Sequence, residues 1–294
     1  MTAGPAHEVL IRAAQQAGIN VANAELIRDG ANVMYRLPHH IVARIGPAGS
    51  EASARQQVQV ARWLAGSGIP VTTPLGDVPQ PAVAHARPVT WWRELPDHRA
   101  ATPAELGSML HAIHQLPIPP QPQLPEFNPF DGIEKHIEAA GHIARADREW
   151  LLQRATQLRT DLSAANRNTE RAVIHGDAWQ GNVAVPFDGN AEAALLDLDR
   201  FAVGAPAWDL IPLAVDYTDF ARIPAHDYHQ FVTAYGGHDV TTTPTFRPMA
   251  DLQELRWVAF VLGKADNPSA KAEAQHRIAC LRGDIDRPWL WTAF

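Results

Sequence analysis

The sequence predicts an α+β protein of two lobes, a strand-rich amino-terminal part followed by a larger and mainly helical carboxy-terminal part. Three observations carry this expectation. Alternating residues mark short strands near the amino terminus, most clearly in His40-Ile41-Val42-Ala43-Arg44-Ile45. Apolar residues at helical spacing dominate beyond Asp209. A chain of 294 residues is long for a single core and suits one two-lobed unit or two domains.

From the amino terminus, Leu10, Ile11, Ala14 and Ala17 give a short amphipathic helix over His7–Gly18, closed by its glycine. Leu26-Ile27 leads into Asp29-Gly30-Ala31-Asn32, a tight turn between two strands. In the strand at 40–45, Ile41, Ala43 and Ile45 share one face, and Val42 and Arg44 the other. A helix is expected from about Ser50 to Leu64, and Gly66-Ser67-Gly68-Ile69-Pro70-Val71 ends it and starts the next strand. Pro88-Val89-Thr90-Trp91-Trp92-Arg93-Glu94-Leu95-Pro96 reads as a last amino-terminal strand running into a linker. Its tryptophans suit a core or a cleft lining. The domain boundary is therefore placed between a lobe plus linker at 1–95 and a second lobe at 96–294.

In the second lobe Thr102-Pro103 caps a helix carrying Leu106, Leu110, Ile113 and Leu116. His111 and His114 lie on it without a third ligand-type residue at metal spacing and are read as structural. The proline-rich stretch from Pro117 to Pro129 is an extended connector, and charged helices follow from about Gly132 to Ala165. Three short strands are expected at Ala172-Val173-Ile174, Val183-Ala184-Val185 and Ala194-Leu195-Leu196, with a turn at 186–190. Helical segments then recur at Leu210–Val215, Tyr228–Tyr235 and Leu252–Leu262. The closing Arg287-Pro288-Trp289-Leu290-Trp291-Thr292-Ala293-Phe294 is too apolar to dangle, and packs on the helical lobe or forms an oligomer contact.

Composition narrows the function classes. With 46% hydrophobic residues and a mean hydropathy of -0.20 the chain can bury a sizeable core. No apolar run approaches the roughly 20 residues of a membrane span, and the amino terminus lacks a charged-then-apolar signal layout. The lone Cys280 allows no internal disulfide and no cysteine metal cluster, which fits a reducing cytoplasm, and it reads as a small buried residue. A formal net charge of -7 without a Lys/Arg run argues against a nucleic-acid partner. An acidic surface accommodates a cationic small substrate and also serves solubility.

The chemistry concentrates in His175-Gly176-Asp177-Ala178-Trp179-Gln180-Gly181-Asn182 and in Leu195-Leu196-Asp197-Leu198-Asp199. Singly, such residues are ordinary turn formers and caps. Jointly, between short apolar strands, they place Asp177 and Asn182 in one loop and Asp197 at the end of the strand beyond the hairpin. Asp177 can then serve a substrate hydroxyl as base or orienter, while Asn182 and Asp197 offer the oxygen ligands that a hard divalent cation prefers. This is the set needed to bind Mg²⁺-ATP and activate a hydroxyl.

These residues resemble the aminoglycoside phosphotransferase family, a branch of the protein-kinase-like fold whose pattern reads His-Gly-Asp-x-x-x-x-Asn and then an apolar-apolar-Asp strand end. The similarity continues into Gly204-Ala205-Pro206-Ala207-Trp208-Asp209-Leu210. The resemblance implies a bilobal kinase-like fold, Asp177 as the catalytic aspartate, Asn182 and Asp197 as metal ligands, and His175 and Asp209 as braces of the loop. It assigns no clear role to Asp199, which equally suits a solvated turn. It sets the 29–32 turn over the ATP phosphates, a segment that serves equally as an ordinary hairpin turn. It assigns Arg44 to the phosphates, Val42 to the adenine wall, Gln57 by helix register to Arg44, with Glu51 acidic but earlier on the helix, and the backbone near Arg93 and Leu95 to the adenine edge. Arg44 stands where the family usually has lysine and Gln57 where it usually has glutamate. Asp216, Asp219 and Asp227 either face an amine-bearing sugar or are solvated loop and helix-end carboxylates.

The expected activity is ATP-dependent transfer of the γ-phosphoryl group to a hydroxyl of a small molecule, an aminoglycoside-like antibiotic or an aminosugar. Mg²⁺ is the expected cofactor and ATP the co-substrate, with GTP also admissible, in a cytoplasmic monomer or dimer. A degenerate kinase-like binding protein without turnover is the second reading, prompted by Arg44 and Gln57. A two-metal phosphoesterase would need further His and Asp ligands.

Overall fold

The computed structural model describes residues 5–165, 170–189, 192–264 and 267–294. In chain order it contains α1 (Pro5–Ala17), β1 (Glu25–Asp29), β2 (Val33–Leu37), β3 (Ile41–Ile45), α2 (Glu51–Gly66), β4 (Ala82–Ala84), β5 (Arg87–Arg93), β6 (His98–Ala100) and α3 (Pro103–His114). There follow α4 (Ile133–Ala139), α5 (Arg145–Ala165), β7 (Ala172–Ile174), β8 (Val183–Pro186), β9 (Ala194–Leu195), β10 (Ala202–Gly204), α6 (Ala207–Thr218), α7 (Ala225–Ala234), α8 (Phe246–Leu262) and α9 (Pro268–Arg282). Asn190, expected in the turn at 186–190, lies outside the described residues. No described helix is long and apolar enough to cross a membrane.

Contacts group the chain into two units, the first made of Met1–Ala101, Ile118–Leu124 and Gln180–Phe201, the second of Thr102–Pro117, Pro125–Trp179 and Ala202–Phe294. In the first unit a five-stranded antiparallel sheet runs in the order β1-β2-β3-β5-β4. The alternation in β3 decides its faces. Ala43 and Ile45 are fully buried and join Val33, Tyr35, Val89 and Trp91 in a core covered by Val9, Leu10, Ala13 and Ala14 of α1. Arg44 and Val42 therefore project from the opposite face. A second antiparallel sheet, β6-β8-β9, belongs to the same unit. The β8–β9 hairpin is anchored where Leu195 N–H donates to the Pro70 carbonyl and Thr72 N–H donates to the Leu195 carbonyl, both at 3.0 Å.

The second unit is helical apart from the β7–β10 pair. Helix α3 begins at a capping box, in which the Thr102 hydroxyl accepts from Glu105 N–H and the Glu105 carboxylate accepts from Thr102 N–H. His111 and His114 on α3 are both used internally, each bonded through Nδ1 at 2.7 Å to Tyr235, the first at its carbonyl and the second at its hydroxyl. Cys280 is buried and receives the Trp291 indole N–H at 3.4 Å, and burial pushes its thiol pKa up.

The carboxy-terminal segment is fastened within this unit. Trp289 and Trp291 are buried, and Trp289 N–H donates to the Asp219 carbonyl at 2.9 Å. The Asp219 carboxylate, read from sequence as solvated or substrate-facing, is instead buried against Arg247 at 2.8 Å and Arg287 at 3.1 Å. Glu254 shares the cluster, accepting from Arg247 at 3.1 Å. Burial first, then a hydrogen bond shared with Asp219, pushes the Glu254 carboxyl from its ordinary 4.5 up to about 9. Glu254 thus takes up a proton more readily folded than unfolded. Its contribution to stability is complete below 4.5 and is lost as pH rises toward about 9. Glu254→Gln keeps an acceptor oxygen and removes this titration. The Tm difference between variant and wild type is expected to grow in the variant's favour by roughly 10 °C between about pH 5 and pH 8. A difference constant across that range, read by scanning calorimetry, would contradict the assignment.

Candidate active site

The catalytic-type loop leaves β7, whose three residues are all buried and pair with β10 (Ile174 opposite Ala202, Ala172 opposite Gly204). The chain turns sharply at Gly176, where φ is +79°, a value that costs glycine little and other residues much. The turn is held by Asp209, the third residue of α6. Its carboxylate accepts from His175 N–H at 2.6 Å, from Gly176 N–H at 2.8 Å, and from His114 Nε2 at 3.0 Å. Full burial alone would raise the Asp209 pKa. The hydrogen bond and charge of His114, with the His175 contacts, outweigh burial and hold it below the usual carboxylate range. The first turn of α6 adds its favourable dipole. Clamped in this way, the loop presents Asp177 at the surface while Ala178 packs inward, and leaves Trp179 55% exposed. Asp177 N–H closes on His175 Nδ1 at 3.3 Å.

The remaining candidates lie in the first unit. Asn182 ends a 3-10 turn, Gln180–Asn182, and is buried. Its carbonyl accepts from Leu196 N–H at 2.8 Å, which, with Val183 opposite Leu195, brings Asn182 and Asp197 to the same end of the β8–β9 hairpin. Asp197 has φ +52°, a left-handed conformation uncommon for a side-chain-bearing residue and typical of functional turns. A second 3-10 turn, Leu198–Arg200, carries Asp199.

Arg44 reaches this turn. Its side chain is 16% exposed and lies 3.3 Å from the Asp199 carboxylate and 3.6 Å from that of Asp197. It also donates to Gln57 Oε1 at 2.7 Å, and Gln57 in turn donates to Ser53 at 3.2 Å. These groups border a recess of about 180 Å³, lined among others by Ala31, Asn32, Arg44, Gln57, Thr90 and Asp199. Burial pushes Asp199 upward, but its hydrogen bond with Asp197 and the charge of Arg44 leave it below its ordinary value. The Asp197 carboxylate and the Asn182 side-chain amide offer the oxygen donors that a small hard cation prefers. No group of three or more His, Cys, Asp or Glu suited to a metal occurs among the described residues.

Val42, on the Arg44 face of the sheet, stands opposite Trp92 on β5. Of the backbone groups near Arg93 and Leu95 expected to serve a base, the Arg93 N–H is committed to the Thr73 carbonyl at 2.8 Å. At the start of the linker, Glu94 N–H donates to the His40 carbonyl at 2.8 Å, and the Glu94 carboxylate takes Arg36 at 2.5 Å and His40 at 3.2 Å. Leu95 follows, half-buried. The sequence reading missed both Asp199 as a partner of Arg44 and Glu94 as the pin of the linker. For Asp199 the one available signal was its acidity two residues beyond Asp197.

The model of the phosphotransferase enzyme family matches residues 23–252, well over half of the chain. No curated protein matches at the significance required. Among solved structures, an amicoumacin kinase in complex with AMP-PNP, Ca²⁺ and Ami superposes with a TM-score of 0.73 at 16% identity, covering 96% of this chain and 94% of that one. A choline/ethanolamine kinase family protein from Mesorhizobium loti gives 0.64 at 20% identity, with 90% and 88% covered. A spectinomycin phosphotransferase in complex with ADP and its antibiotic gives 0.65 at 14% identity, with 98% and 96% covered. These likenesses show the fold, which is protein-kinase-like with an antiparallel-sheet lobe and a helical lobe. The family match covers both the β3 arginine and the His175–Asp209 segment, and the chain belongs to the phosphotransferase enzyme family.

Proposed function

We propose that this protein transfers the γ-phosphoryl group of ATP to a hydroxyl of a small, amine-bearing molecule, an aminoglycoside-like antibiotic or an aminosugar. The observation that carries the reading is the Asp209 clamp, which fixes the backbone on which Asp177 stands at the surface. In this mechanism the Asp177 carboxylate accepts the hydrogen bond of the acceptor hydroxyl, orients its oxygen and takes its proton as that oxygen bonds to the γ-phosphorus and the bond to the β–γ bridging oxygen breaks, releasing ADP. Asn182 and Asp197 would hold Mg²⁺, which when bound would neutralise charge on the phosphates. Arg44 draws the non-transferred phosphates by charge and by its planar pair of donors. Val42 lies against the base. With the Arg93 N–H already used, the Arg93 carbonyl and the Leu95 backbone serve the base edge, contacts that admit ATP and GTP alike.

In this reading 1–95 serves the nucleotide and 96–294 carries the catalytic loop and the acceptor. The hairpin bearing Asn182 and Asp197 is grouped by its contacts with the first unit. A small-molecule acceptor is in keeping with the names of the structural relatives, which include an amicoumacin kinase, a choline kinase and a spectinomycin phosphotransferase. A reducing cytoplasm and a monomeric or dimeric state complete the proposal.

The test is an Mg²⁺-dependent ADP-release screen over aminoglycosides, other hydroxylated antibiotics, aminosugars, choline and simple alcohols, with Asp177→Ala alongside. Release stimulated by one acceptor and absent in the variant supports the reading and names the acceptor. Silence throughout, with no thermal shift on adding Mg²⁺-ATP, favours a binding protein without turnover, the reading that Gln57 beside Arg44 prompted.

A further inference from the structure

Arg44 carries a full charge on a largely buried side chain, so its head needs anionic compensation. Helix α2 does not supply it. The α2 residue that reaches Arg44 is Gln57, whose neutral amide oxygen accepts one hydrogen bond at 2.7 Å and whose nitrogen is turned toward Ser53. The carboxylates within ion-pair distance are Asp199 at 3.3 Å and Asp197 at 3.6 Å, both from the segment after β9. The function proposed above commits Asp197 to the cation. Asp199 sits on a 3-10 turn of the same unit and borders the same recess as Arg44 and Gln57.

We infer that Asp199 is the positioning residue for Arg44. It supplies from the turn after β9 the negative charge that α2 lacks, and it sets the direction in which the guanidinium faces the phosphates. Rotation of the guanidinium is limited on one side by Gln57 and on the other by Asp199, leaving its remaining donors for phosphate oxygens. The inference rests on the phosphotransferase reading for what Arg44 holds, but the pairing itself does not.

Two measurements separate these layers. A thermal-unfolding cycle over Asp199→Asn, Arg44→Gln and the double variant reads the pairing without nucleotide or metal. The double variant is expected to lose no more Tm than the worse single one, whereas additive losses would overturn the pairing. In turnover, Asp199→Asn is expected to lower kcat about tenfold with the Mg²⁺ half-saturation unchanged within about twofold. Gln57→Glu in that background is expected to restore at least half of wild-type kcat, because a carboxylate again faces Arg44 from the other side. A shifted Mg²⁺ half-saturation without rescue would make Asp199 a metal ligand and overturn the inference. A coupled cycle in a protein that turns over no acceptor would keep the pairing and reject the phosphotransferase reading.

Discussion

Asp177→Asn is expected to lower turnover by about three orders of magnitude while leaving Tm and nucleotide binding at wild-type values, since a positioned general base contributes roughly 10²–10⁴-fold. The asymmetry follows from where the residue stands. Asp177 is exposed, its neighbour Ala178 supplies the packing, and the backbone N–H groups of His175 and Gly176 hold the loop to Asp209. Asparagine keeps the shape and one acceptor oxygen but cannot take a proton. Turnover within about tenfold of wild type, measured by ADP release with the best acceptor, would remove Asp177 from the role of base. Equal losses of Tm and turnover would instead mark it as a structural residue.

Much of this architecture is written locally. The alternation in β3 states which residues share a face, and burial of Ala43 and Ile45 follows from it. Thr102-Pro103 with Glu105 spells a helix start, and α3 begins there. The His-Gly-Asp stretch between apolar strands is legible because glycine, turn and strand ends all fall within a few residues.

What escaped the sequence reading depends on long-range partners. Asp219 looks like a helix-end carboxylate until Arg247 and Arg287 arrive from α8 and from the closing segment. Asp199 reads as a solvated turn residue because its partner, Arg44, lies 155 positions away. Helix α9 went unread for a related reason. Two residues of its buried face are Glu273 and Arg277, which pair with each other at 2.8 Å, so a hydrophobicity pattern assigns that face to solvent. The cap signals were nevertheless present, with Asn267 and Pro268 at its start and Gly283 at its end.

Asp209 inverts the expectation for Asp177. Asp209→Asn is expected to lower unfolding stability by about 3–5 kcal/mol, because buried donors that the carboxylate satisfies lose their acceptor, and to abolish turnover as a consequence. The wild-type carboxylate offers acceptors to three donors, His175 N–H, Gly176 N–H and His114 Nε2. An asparagine can aim its oxygen at only one side. Its amide hydrogens then face either a backbone N–H or the His114 ring, setting donor against donor in a fully buried site. The pH dependence has a definite sign. The folded-state pKa is depressed below 3.8, so the contribution of Asp209 is present above that value and is lost as pH falls through the lower folded one. Urea unfolding near neutral pH and again near pH 3 would therefore show wild type and variant converging on acidification. If Asp209→Asn kept wild-type stability at neutral pH, or if the gap widened toward acid, the clamp would not be what holds the loop. Loss of Asp177 should silence a folded enzyme, whereas loss of Asp209 should silence it by releasing the backbone on which Asp177 stands.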